Sequence, residues 1–136
     1  MANRPKRSRE TRAVTPQALV SVVDDDESVR ESLPDLLKEL GFAAKAFTSA
    51  HDFLTSGDIA ATCCLLLDIA MPGMSGPELQ QELTRRGHVV PIIFITARAD
   101  ECVRQQLLQQ GAVECLFKPF SEQQLRAALD AATRPT

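Results

Sequence analysis

The sequence predicts an α/β domain: a five-stranded parallel sheet with helices packed on both faces. Three observations lead there. Five short runs of apolar and β-branched residues begin near positions 19, 43, 63, 91 and 112, each followed by apolar residues at helical spacing. Most of these runs are almost continuously apolar, the pattern of strands buried on both faces. Glycines at 41, 57, 87 and 111 each close one of the helical segments, so strand and helix alternate along the chain. Right-handed crossovers leave few topologies for such a repeat, and the doubly wound, flavodoxin-like order 2-1-3-4-5 is the one predicted.

In chain order, Leu19-Val20-Ser21-Val22-Val23 is the first strand and runs into Asp24-Asp25-Asp26-Glu27. Glu27-Ser28 opens a helix carrying Val29, Leu33, Leu36, Leu37 and Leu40; Pro34 inside it should remove one backbone hydrogen bond and kink it. Ala43 to Phe47 is a weaker strand, and Thr48 or Ser49 caps a short helix with Phe53 and Leu54. Cys63 to Leu67 forms the third strand and ends in Asp68, before a loop, Ile69-Ala70-Met71-Pro72-Gly73-Met74. Ser75 or Gly76 caps the third helix, with Pro77 at its first position and Leu79 and Leu83 on its apolar side. Pro91 to Ile95 is the most strand-like run and ends in Thr96-Ala97; Asp100 then caps a helix bearing Val103 and Leu107. Ala112 to Phe117 is the fifth strand, ending at Lys118-Pro119, and Ser121 with Gln124 forms a capping box for a last helix through Leu125 and Leu129.

With 136 residues the chain is one domain, large enough to bury a core without staples. No apolar run approaches the roughly 18 residues of a membrane span, and no apolar signal segment follows the basic N-terminus. Both absences point to the cytoplasm. Residues 1–16 hold five basic residues against one acidic, +4, while the remainder holds ten basic and seventeen acidic, −7. Residues 1–16 are accordingly expected to form a disordered basic arm, 17–133 the folded domain, and 134–136 an end or the start of a linker. Cys63, Cys64, Cys102 and Cys115 lack CxxC or zinc-ligand spacing and read as free thiols or small apolar residues. Adjacent on a strand, Cys63 and Cys64 should point to opposite faces.

In a parallel sheet of this order every strand's carboxyl end lies on one edge, and ligands bind where strands 1 and 3 diverge. The first strand delivers Asp24 and Asp25 there, the third Asp68, the fourth Thr96 and the fifth Lys118. Taken singly, the acidic trio is a solvated turn, Thr96 a strand end and Lys118 a surface charge; their arrival at one edge outweighs those readings. Crowded carboxylates resist ionisation unless a cation joins them, and hard oxygen ligands with open positions suit Mg²⁺. A lysine and a hydroxyl beside them complete a site suited to phosphoryl transfer onto Asp68.

Val22-Val23-Asp24-Asp25, Leu67-Asp68, Met71-Pro72-Gly73, Thr96-Ala97 and Lys118-Pro119-Phe120 together resemble the receiver domains of bacterial two-component response regulators, the CheY-like family. The resemblance spans 19–130 and implies a set of roles. Asp68 would be the phosphoacceptor, and Thr96 and Lys118 would contact the phosphoryl group. Asp25, Asp68 and the Ala70 backbone carbonyl would ligate Mg²⁺, with Asp24 acting through a bound water. The Lys118-Pro119 bond would be cis. A sensor histidine kinase or phosphotransfer protein would be the donor. The fourth helix, fifth strand and fifth helix would form the switching surface and a homodimer contact. Ile95 to Asp100 and Gly111-Ala112-Val113 resemble the subgroup that usually carries a helix-turn-helix output domain, and DNA is expected only through such a domain, which this chain does not carry. Cys115 departs from the family, which usually places Tyr or Phe there, coupled to the Thr as the other half of the switch. Two other readings stay open: a receiver-like interaction module that signals without phosphorylation, and a haloacid-dehalogenase-like phosphatase with Asp24 as nucleophile and Asp26 as acid/base.

Overall fold

The computed structural model describes residues 18–133. The expected N-terminal arm and the 134–136 end lie outside them. Strands and helices alternate as β1 (Leu19–Val23), α1 (Glu27–Glu39), β2 (Ala43–Phe47), α2 (Ala50–Leu54), β3 (Thr62–Asp68), α3 (Gly76–Arg85), β4 (Ile92–Thr96), α4 (Glu101–Gln109), β5 (Glu114–Phe117) and α5 (Glu122–Thr133). The sheet is wholly parallel in the order β2-β1-β3-β4-β5, as the sequence predicts.

Alternation along the strands divides the core into two layers. Val20, Val22, Leu66, Ile93, Ile95 and Leu116 meet Leu33 and Leu37 of α1 and Leu125, Ala128 and Leu129 of α5. On the other face Val23, Leu65, Leu67, Ile92, Phe94 and Cys115 meet α2, α3 and α4 through Phe53, Leu79, Leu83 and Leu107. Edge strand β2 is tied to this second layer by Phe47, whose ring stands edge-on to Phe53 with centroids 5.4 Å apart.

Local chemistry starts most helices where expected. Asp26, Ser49, Ser75 and Asp100 are the N-caps of α1 to α4, and Ser121 and Gln124 exchange the reciprocal bonds that open α5. Ser75 and Glu78 form a second capping box. Gly41 ends α1 in the left-handed region, at φ +98°. Helix α1 runs unbroken from Glu27 to Glu39 across Pro34. The Lys118–Pro119 bond is cis.

One expectation fails. Cys63 and Cys64 do not divide between the faces: Cys64 is buried in the α1/α5 layer and half-buried Cys63 packs against that same layer. The cause is a bulge. Leu19 pairs with Thr62 but Val20 pairs with Cys64, so Cys63 is the extra residue and alternation is interrupted there. On the opposite side of this irregularity, Ser21 and Thr62 share a buried hydroxyl–hydroxyl bond of 2.8 Å, and the Thr62 hydroxyl donates to the Asp58 carbonyl at 2.7 Å.

Candidate functional site

Strands β1 and β3 run side by side in the middle of the sheet, so their last residues arrive together. Asp24 has no exposed surface, yet its carboxylate is fully engaged. Oδ1 accepts the Asp26 backbone N–H at 2.9 Å and Oδ2 accepts Lys118 Nζ at 2.9 Å. The Asp24 carbonyl accepts from the Arg30 guanidinium at 3.0 Å, pinning the turn between β1 and α1. Asp25, the next residue, is exposed, while Asp68 at the end of β3 is only 8 % exposed. Carboxylate oxygens of Asp24, Asp25 and Asp68 lie within 4.8 Å of one another.

That crowding has an electrostatic consequence. Burial, reinforced by the Asp24 charge, pushes the Asp68 carboxyl up to about 7, and Lys118 opposes the rise. A divalent cation would reverse the sign of that field, and three hard oxygen donors at this spacing fit one. The residues present therefore suit a metal ion.

The loop after Asp68 is held close to the strand. The Gly76 N–H donates to the Ile69 carbonyl at 2.9 Å, and a Cβ at Gly76 would run into the Asp68 backbone carbonyl oxygen. A residue without a side chain is what lets α3 begin directly beneath the phosphoacceptor candidate.

Over Asp68 lies a pocket of about 440 Å³ lined by Asp25, Ala70, Thr96, Arg98 and Lys118, among others. Thr96 is 8 % exposed, and its Oγ1 accepts the Arg98 backbone N–H at 3.1 Å, which leaves the hydroxyl proton to donate elsewhere. The structure thus gathers Asp24, Asp25, Asp68, Ala70, Thr96 and Lys118 at one sheet edge. Cys115 does not join them. It sits abreast of Phe94, whereas the β5 residue abreast of Thr96 is half-buried Phe117.

Arg98, Asp100 and Val103 also line the pocket, and sequence reasoning assigned them no part in the site. Their signal was position alone, since a loop just after a strand's carboxyl end borders the ligand crevice. Asp26, the acid/base of the phosphatase reading, borders the pocket as well, but its carboxylate caps α1, accepting the Ser28 N–H at 3.0 Å and the Ser28 hydroxyl at 2.8 Å. Asp24, that reading's nucleophile, is buried against Lys118.

Residues 20–130 match the response regulator receiver domain family. The chain belongs to that family. Nodulation protein W of Bradyrhizobium diazoefficiens is 44 % identical over 117 residues, which is 86 % of this chain and 52 % of that protein. Transcriptional regulatory protein TdiR of Thauera aromatica is 44 % identical over 114 residues, 83 % of this chain and 50 % of its own length. The receiver domain spans about half the length of the curated relatives it matches. Among solved structures, response regulator StyR superposes with a TM-score of 0.79 at 44 % identity, covering 87 % of this chain and 60 % of that one. FixJ-N superposes at 0.77 with 33 % identity, covering 90 % and 98 %. The receiver fold, with its strand order, and membership of the two-component response regulators are thereby shown. Among the described residues no helix is long and apolar enough to cross a membrane.

Proposed function

We propose that this receiver domain accepts a phosphoryl group on Asp68 from the phosphohistidine of a sensor histidine kinase or phosphotransfer protein, with Mg²⁺ as cofactor. The observation that carries the reading is the crowding of three carboxylates within 4.8 Å, with Lys118 and Thr96 at the same pocket. A carboxylate oxygen of Asp68 attacks phosphorus while the bond from phosphorus to the donor imidazole nitrogen breaks and its electron pair leaves with that nitrogen. The product is an aspartyl phosphate. Asp25, Asp68 and the Ala70 carbonyl would hold Mg²⁺, with Asp24 acting through a metal-bound water. The ion supplies positive charge that lets anionic donor and carboxylate approach. Lys118 neutralises a phosphoryl oxygen as a point charge, and the Thr96 hydroxyl donates its free proton to another.

On this reading residues 17–133 form a regulatory phosphoacceptor unit that is no enzyme beyond its own phosphotransfer and dephosphorylation. It works in the cytoplasm, and partners read its α4–β5–α5 surface. That surface serves a homodimer or an output domain, and DNA is reached only through the latter. Incubation with acetyl phosphate and Mg²⁺ should raise the intact mass by about 80 Da, one phosphoryl group. The gain should vanish in Asp68→Asn and without Mg²⁺; an equal gain in Asp68→Asn overturns the assignment.

A further inference from the structure

The first turn of α4 is a wall between two cavities. On its inner side Asp100 and Val103 face the pocket over Asp68. On its outer side Glu101 and Arg104 border a groove of about 450 Å³ between α4, β5 and α5, which Cys115 and Phe117 also line. Apolar packing holds this wall lightly. Leu107, a turn further on, is the one fully buried residue of α4, and Val103 is half-buried. At Cys115 the neighbouring strand offers a small thiol to pack on.

What ties the turn to the strand is polar. Arg104 donates to Glu114 Oε1 through Nε at 3.1 Å and Nη2 at 2.7 Å, and to Glu101 through Nη1 at 2.8 Å. The Cys115 backbone N–H donates to the same Glu114 oxygen at 2.9 Å, so the acceptor is fixed to its own strand. The two side chains are 27 % and 31 % exposed, shielded enough for the pair to count and open enough for it to part.

A route of backbone and hydrogen bonds leads from the pocket to this pair. Thr96 Oγ1 holds the Arg98 N–H, and Arg98 lies two residues before Asp100, the N-cap that accepts from Cys102 N–H at 3.0 Å and Val103 N–H at 3.3 Å. A phosphoryl group that draws the Thr96 hydroxyl therefore pulls on the residues that start α4.

We propose that the Arg104–Glu114 pair is a latch that holds the first turn of α4 on β5 while Asp68 is unmodified and opens when Asp68 is phosphorylated. The proposal rests on Asp68 being the phosphoacceptor and goes beyond that reading by naming the contact that responds. Hydrogen exchange of peptides covering 100–106 tests it on the full chain, in wild type, Arg104→Gln, Glu114→Gln and the double variant, with and without beryllofluoride and Mg²⁺. Without the analogue each single variant should exchange about two- to fivefold faster, the size of a partly exposed ion pair. The double variant should exchange no faster than either single, and Arg104→Lys, which keeps the charge, should retain most of the protection. Beryllofluoride should speed exchange in wild type and add little in the variants. Single variants that exchange like wild type, effects that add in the double variant, or an undiminished beryllofluoride response in the variants would overturn the latch. A missing adduct signal in fluorine NMR overturns the phosphoacceptor reading and the opening step, while the analogue-free comparison still decides whether the pair holds the turn. Matching circular dichroism melts guard against unfolding as the cause.

Discussion

Replacing Asp68 by Asn should stabilise the metal-free protein, and the gain should emerge only as the pH rises. In the native state burial and the Asp24 charge push the Asp68 carboxyl up from its ordinary value of 3.8 to about 7. An acid whose pKa is higher folded than unfolded leaves stability untouched while both states are protonated. Between about 4 and 7 the unfolded chain releases its proton and the native chain keeps it, so native stability falls; above 7 the deficit is constant. Three units at about 1.4 kcal/mol each set a ceiling near 4 kcal/mol. The pocket opens to water and Asp25 at its mouth is exposed, so about 2 kcal/mol is the expected gain at pH 8. Urea titrations followed by far-UV circular dichroism, in EDTA at pH 4.5, 6 and 8, measure it. The gap should be smallest at pH 4.5, where the unfolded carboxyl has begun to ionise and the native one has not, and the midpoints should separate further above that. Millimolar Mg²⁺ should narrow the gap at pH 8 by stabilising wild type. A variant less stable than wild type at pH 8, or a difference that ignores pH, would refute the electrostatic account of this site.

Three other substitutions or treatments probe the frame around the site. Gly76→Ala should cost about 1–3 kcal/mol in thermal melts and slow acetyl phosphate labelling, because the new methyl must displace the Asp68 carbonyl or Phe94, whose Cε1 would lie 3.1 Å away. Ser21→Ala should cost about 1 kcal/mol, since Thr62 loses the Ser21 hydroxyl while keeping its own bond to Asp58; a loss above about 3 kcal/mol would show that more than this bond is involved. In native protein at pH 8, iodoacetamide should modify exposed Cys102 first. Burial pushes the Cys64 thiol up to about 12 and Cys115 up to about 11, so peptide mapping should find both unmodified until denaturant is added.

The element order was legible because its signals are local. Strand runs, helix stripes and the caps Ser49, Asp100 and Ser121 act within a few residues, and each starts its helix in the structure. The membership of the site was legible for a related reason. In a parallel sheet, Asp24, Asp68, Thr96 and Lys118 need only stand at strand ends to share an edge. Cys63 was misread because a bulge depends on the partner strand: whether Val20 pairs with residue 63 or 64 cannot be expressed in the alternation of β3 alone. Arg98 and Val103 were missed because the lining role of a loop residue, and of the helix turn that follows it, appears only once α4 has been laid across the sheet edge.

By itself the sequence determined the doubly wound fold, the edge on which the candidate site sits, and the carboxylates, hydroxyl and lysine gathered there. Hydrophobic period and turn chemistry suffice for that, since both act over short stretches of chain. Tertiary structure alone decided which groups satisfy one another. Lys118 rests on Asp24 across 94 residues of sequence, Phe117 rather than Cys115 stands abreast of Thr96, and Arg104 reaches Glu114 from a neighbouring element. Those pairings follow from strand register and from the packing of α4, which place groups within a few ångströms without any periodicity to announce them. Charge interactions strengthen steeply at such distances once water is excluded, and so the pKa of Asp68 and the hold on α4 belong to the folded molecule.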